Sequence, residues 1–139
     1  MISFNYETNF KLTEEDKITT WISSIIKNEN CVEDEINYVF CNDAYLHKLN
    51  LEFLQHDTLT DIISFDYSVG KRLQGDIFIS VERVEDNAKD FNVDFDTELH
   101  RVIIHGILHY CGYKDKTESD AKMMRSKENE ALKVLSEMS

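Results

Sequence analysis

A chain of 139 residues, with 27 acidic against 15 basic side chains and a formal charge of −12, fits one domain of about 100 to 200 residues. It can bury a core without disulfide staples. The acidic balance excludes diffuse adhesion to DNA or RNA backbones and leaves such partners only a local basic patch or a bound cation.

The remaining exclusions are compartmental. Cys31, Cys41 and Cys111 are odd in number and scattered, which suits reduced thiols in a cytoplasmic protein rather than a disulfide framework. No apolar run approaches the roughly eighteen residues of a membrane span, and the opening MISFNYETNF lacks the basic-then-apolar order of a leader.

In chain order, MISFNYE reads as a first strand. Residues 13 to 28 place Ile18, Trp21, Ile22, Ile25 and Ile26 at helical spacing behind Thr13, a capping residue with Asp16 three positions on. INYVFC, residues 36 to 41, is β-branched and aromatic and predicts a strand; Asn42 then caps a helix carrying Leu46, Leu49 and Phe53. DIISFDY (61 to 67) and DIFISV (76 to 81) predict two strands of a hairpin joined by SVGKRLQG. Ser80 caps a helix through Val84, Ala88 and Phe91; a helix from Thr97 to Cys111 follows, and Thr117 opens a last one to residue 137. The sum is α+β: a small mixed sheet with about five helices in a single domain over residues 1 to 139.

Chemistry concentrates in HGILHYCGYKD, residues 105 to 115. From Val102 the helix is apolar on most of its circumference, which predicts burial in the middle of the domain. Gly112 ends it, and a glycine there can turn left-handed and bring Asp115 back beside the face the chain has left. His105 and His109, at i and i+4, put their Cβ atoms about 5 to 6 Å apart, so both imidazoles can reach one ion at about 2.0 to 2.1 Å. A single buried histidine is more often a hydrogen-bonded core residue than a ligand. Two side by side leave nitrogens unpartnered unless something coordinates them, and Asp115 arrives as a third ligand. The motif is not HExxH, because Gly106 follows the first histidine and supplies no base; its missing side chain suits either close approach of backbone or substrate, or the packing of another helix.

The same residues carry a family resemblance. HGILHYCGYKD is similar to the HGxLHLxGYDH signature of the YbeY family, metal-dependent endoribonucleases of bacterial ribosomal RNA maturation. LTDIISF (59 to 65) resembles that family's PTDVLSF, and GDIFIS (75 to 80) its GDIxIS. The resemblance covers roughly residues 36 to 125. It implies a metallopeptidase-like α+β fold, one Zn2+ per chain, and single-strand-specific cleavage of RNA at the 3′ end of small-subunit ribosomal RNA, with the small ribosomal subunit as partner. His105 and His109 match the first two metal ligands. Asp115 stands where the family has a third histidine, and two imidazoles plus a carboxylate remain a recognised catalytic zinc set with an open position. The anionic ligand makes a weaker Lewis acid and admits harder ions such as manganese. Leu54 stands where the family has an arginine, with His56, Lys114 and Arg101 the nearest replacement charges, and Leu59 stands for a proline.

The implied chemistry is a metal that polarises a phosphoryl oxygen and acidifies water toward a pKa of about 7. Asp61 and Asp76, each beside a strand end, are candidates for the base, with Asp61 equally suited to a loop or capping role. Lys114 and Lys116 are candidate phosphate contacts or simply solvated charges, and Arg125 in the last helix either faces the cleft or pairs with a neighbouring acid. Two rival classes remain: another zinc hydrolase such as a peptidase, and a non-enzymatic ribosome-assembly factor whose structural zinc takes a fourth ligand, Cys111 or Glu118. A two-histidine, one-carboxylate iron oxygenase has no further support.

Overall fold

The computed structural model describes residues 1–56 and 60–138. Its sheet is organised by β2 (Val32–Cys41), where Ile36, Tyr38 and Phe40 are fully buried and Asn37 and Val39 between them face the other side, the period-two pattern of a strand with one core face. β1 (Ile2–Tyr6) pairs parallel with β2, β2 pairs parallel with β4 (Arg72–Ser80), and β3 (Ile62–Asp66) pairs antiparallel with β4. The order is β1-β2-β4-β3. The hairpin is present, but its second strand starts at Arg72, four residues before the expected Asp76, so RLQG of the expected connection is strand.

Among the described residues five α-helices join the sheet: α1 (Glu15–Asn28), α2 (Asp43–Leu49), α3 (Val81–Phe91), α4 (Phe95–Tyr110) and α5 (Glu118–Ser136). α4 is the central one, with Leu99, Val102, Ile103, Ile104, Ile107 and Leu108 all buried. It lies against the sheet's core face, where Tyr38 Oη donates to the Ile103 carbonyl at 2.8 Å. α1 and α5 flank it, and Trp21 Nε1 joins them by donating to the Ala131 carbonyl at 2.8 Å. α2 covers the opposite face through a second cluster of Cys41, Leu46 and Ile63. No helix of the described residues is long and apolar enough to cross a membrane.

Three expected caps are present: Asn42 Oδ1 accepts from Tyr45 N, Ser80 Oγ from Arg83 N, and Thr117 Oγ1 from Asp120 N. Thr13 does not cap α1. Glu14 precedes that helix with φ 57 and no side-chain cap, and the chain before it is anchored instead by the burial of Leu12, whose N–H donates to Tyr6 Oη. β2 begins four residues earlier than expected because polar Val32–Glu35 still pairs across a bulge with the start of β4. Phe53 is not on α2 but in a single π-helical turn, Asn50–Leu54, where it meets Phe65 edge-on. Leu59 lies outside the described residues.

Candidate metal centre

His105 and His109 project from α4 one turn apart, with ring centroids 4.5 Å apart and planes at 84°. α4 ends at Tyr110, and Gly112 turns left-handed at φ 104 while Tyr113 N donates back to the Leu108 carbonyl. That reversal carries Asp115 to the histidines. Its Oδ2 lies 3.2 Å from His105 Nε2 and 3.3 Å from His109 Nε2, and one ligand atom from each of the three residues lies within 4.8 Å of the others. The cluster can hold a metal ion. No fourth histidine, cysteine or acid joins it among the described residues: Cys111 packs against the main core and Glu118 is exposed.

The outer nitrogens decide what the inner ones can do. His109 Nδ1 lies 2.9 Å from the Tyr113 carbonyl, which can only accept, so that nitrogen carries the proton. His105 Nδ1 lies 2.6 Å from Glu128 Oε2. Burial works to raise the Glu128 pKa, but hydrogen bonds from His105 and Arg101 outweigh it and hold the carboxyl below its usual range. Glu128 is therefore an acceptor, and His105 Nδ1 the donor. In the neutral tautomers both Nε2 lone pairs then converge with a carboxylate oxygen on one point, and three acceptors so placed are satisfied only by a proton or a cation. Without a cation the proton is favoured: burial lowers the His105 pKa, yet the Glu128 hydrogen bond and the nearby negative charges leave it raised.

The cluster forms one wall of a cleft of about 480 Å³ whose lining includes Asp61, Asn87, Glu98, Arg101 and Arg125. Burial raises the Asp61 carboxyl, against the pull of His105 and of Asn87, whose Nδ2 lies 3.4 Å from it. Glu98, almost fully buried, is also raised by burial despite Arg101. Asp76 is on the sheet's other face, accepting from Asn37 Nδ2 at 3.1 Å, and is not part of the cleft. Leu54, His56, Lys114 and Lys116 are exposed and not among the described lining residues. Gly106 packs against the sheet and not against another helix: a Cβ there would stand 3.0 Å from Ile77 Cδ1 and 3.3 Å from Ile62 Cδ1, so its role is in packing.

Sequence reasoning missed Glu128, Glu98 and Asn87. Nothing in the local sequence of α5 marks Glu128, and only the docking of α5 on α4 reveals that it points inward.

The family model described as Endoribonuclease YbeY matches residues 2–136. A curated Endoribonuclease YbeY of Flavobacterium johnsoniae is 66% identical over 132 residues, covering 95% of each chain. That of Flavobacterium psychrophilum is 60% identical over 96% of each. Among solved structures, the solution structure of TM1509 from Thermotoga maritima superposes with a TM-score of 0.69 at 26% identity, covering 97% of this chain and 89% of the other.

Proposed function

This chain belongs to the endoribonuclease YbeY family, and from that premise we propose that it is a zinc-dependent, single-strand-specific endoribonuclease that matures the 3′ end of small-subunit ribosomal RNA in the cytoplasm, on or beside the small ribosomal subunit. The observation that carries the metal part is the convergence of His105 Nε2, His109 Nε2 and Asp115 Oδ2, with both outer imidazole nitrogens already committed to acceptors.

His105, His109 and Asp115 would hold the ion as a two-imidazole, one-carboxylate set, which suits zinc. When bound, the ion supplies a Lewis acid for a phosphoryl oxygen and makes water a stronger acid. The remaining work belongs to the chain. Glu128 and the Tyr113 carbonyl fix the tautomers and ring orientations. Arg101, 3.0 Å from Glu128 Oε1, keeps that carboxylate charged. Asp61 lines the cleft with its carboxyl raised by burial, and we assign it the proton of the attacking water, because a raised carboxylate is the stronger base. Three ligands among the described residues, with side chains 20%, 32% and 40% exposed, support the reading of an open, catalytic site over a closed, structural one.

The test is elemental analysis of the purified protein, followed by incubation with single-stranded RNA, duplex RNA and an unfolded peptide. Cleavage of the single strand alone, abolished by chelator and restored by zinc, is the expected result. Cutting of the peptide with RNA spared would make it a peptidase. Stoichiometric metal with no cleavage of either would make it an assembly factor.

A further inference from the structure

We infer that Arg125 is the phosphate-binding side chain of the cleft, a positioning residue that grips the backbone of a single-stranded RNA beside the metal cluster; this rests on the endoribonuclease reading above and deepens it.

The argument begins with charge. Asp61, Glu98, Asp115 and Glu128 all line the cleft, in a chain of net charge −12. A polyanion entering it meets repulsion unless cations face it. Among the described lining residues only Arg101 and Arg125 carry permanent positive charge.

The two are not equivalent. Arg101 is 18% exposed and bonded at 3.0 Å to Glu128 Oε1, whose own side chain is 6% exposed. Drawing it toward a substrate would strand a buried carboxylate, so it stays where it is. Arg125 sits on the solvent side of the same carboxylate. Its side chain is 58% exposed, and its Nε is 3.8 Å from Glu128 Oε1, beyond hydrogen-bond distance. Among the ion pairs of the described residues this loose contact is its only one. The planar end of the guanidinium is thus free to take two phosphate oxygens at once.

Its position is also fixed relative to the metal cluster. Arg125 is three residues before Glu128 on α5, the same helical face, and Glu128 holds His105 at 2.6 Å. A phosphate on Arg125 therefore lies in the cleft that His105 and His109 wall. The contact is to backbone and reads no base.

The test is fluorescence anisotropy of labelled oligoadenylate, oligouridylate and oligocytidylate on the full chain in chelator, over a series of salt concentrations, for wild type, Arg125→Ala and Arg125→Lys. Arg125→Ala should weaken all three about fivefold at low salt, the upper range for an exposed ion pair. It should also flatten the log–log salt dependence by about 0.7, the value of one phosphate contact on a single strand. Arg125→Lys should recover the slope with weaker binding, because the point charge remains and the fork is lost. Wild-type slope and affinity in Arg125→Ala overturn the assignment, as does a loss confined to one base. Cleavage measured alongside separates the two readings. A wild-type protein that binds through Arg125 but does not cut retains the clamp and loses the nuclease; one that cuts with Arg125→Ala showing the wild-type slope retains the nuclease and loses the clamp. Absence of RNA binding by wild type overturns the clamp, and cleavage by the zinc-loaded protein decides the nuclease.

Discussion

Glu128 Oε2 lies 2.6 Å from His105 Nδ1, on the far side of the ring from Asp115. One carboxylate thus aims an imidazole at another carboxylate, across a gap of ion size. An acceptor in this position fixes the tautomer and raises the basicity of a ligating nitrogen, and such partners typically account for 10- to 100-fold in metal affinity. Glu128→Gln should weaken zinc binding by about that factor in competition with a chromophoric chelator while leaving the fold intact by circular dichroism. Unchanged affinity would remove Glu128 from the support of the site.

The same pair sets a pH dependence for the metal-free protein. His105 is raised in the fold, so its stabilisation is fully present below the unfolded imidazole value of about 6.5 and is lost as pH rises through the folded value. Glu128 is lowered, so its contribution is present above the unfolded carboxyl value of about 4.3 and is lost as pH falls through the folded one. Thermal melting in chelator should therefore peak between those values and decline on both sides. Glu128→Gln should flatten the profile at both ends.

Asp115 is the ligand delivered by the turn. Its replacement by alanine should cost more than about 100-fold in zinc affinity, beyond what loss of an outer partner costs. Asp115→His should keep the metal, because an imidazole at that position offers a nitrogen of similar reach. Equal zinc content by elemental analysis in wild type and Asp115→Ala would strike Asp115 from the cluster.

Much of this was visible in the residues themselves. Buried α4 follows from its nearly continuous apolar circumference, the left-handed Gly112 from its place just past the last turn, and the meeting of His105, His109 and Asp115 from the two together. Each rests on local periodicity or on a cap. What the sequence concealed depends on contacts distant along the chain. Glu128 is an ordinary helical acid until α5 docks on α4. Val32–Glu35 is too polar to announce a strand until β4 pairs with it. Asp61 and Asp76 look alike in the sequence, yet only one lines the cleft: Asp76 lies inside β4 and bonds Asn37 of β2, whereas Asp61 precedes β3, outside the strand.

Gly75 marks where the helix end is fastened to the hairpin. Tyr110 Oη donates to the Phe65 carbonyl at 2.9 Å, directly over Gly75, and an added Cβ would fall on both atoms. A backbone carbonyl in a paired strand cannot move aside cheaply, so Gly75→Ala should lower the unfolding free energy by about 1 to 3 kcal/mol, the cost of forced overpacking. Tyr110→Phe should cost about 0.5 to 1.5 kcal/mol, the net worth of one hydrogen bond, because Phe65 stays paired with Asp76 in the sheet. Urea denaturation of each variant measures this, and a Gly75→Ala protein as stable as wild type would contradict the close approach.

Asp61 and Asp76 give the sharpest contrast in catalysis. Asp61 lines the cleft with its carboxyl raised by burial, whereas Asp76 is hydrogen-bonded to Asn37 outside it. If Asp61 takes the proton in the chemical step, Asp61→Asn should lower kcat by about 10²- to 10⁴-fold with KM nearly unchanged. Activity of the wild type should fall as the pH drops through the raised Asp61 pKa, because only the deprotonated carboxylate accepts a proton, and Asp61→Asn should lose that acid limb while keeping zinc. Asp76→Asn should keep both rate and profile. Steady-state cleavage of a single-stranded RNA across pH, with zinc content measured for each protein, separates the roles: an acid limb that survives in Asp61→Asn assigns the proton transfer to another group.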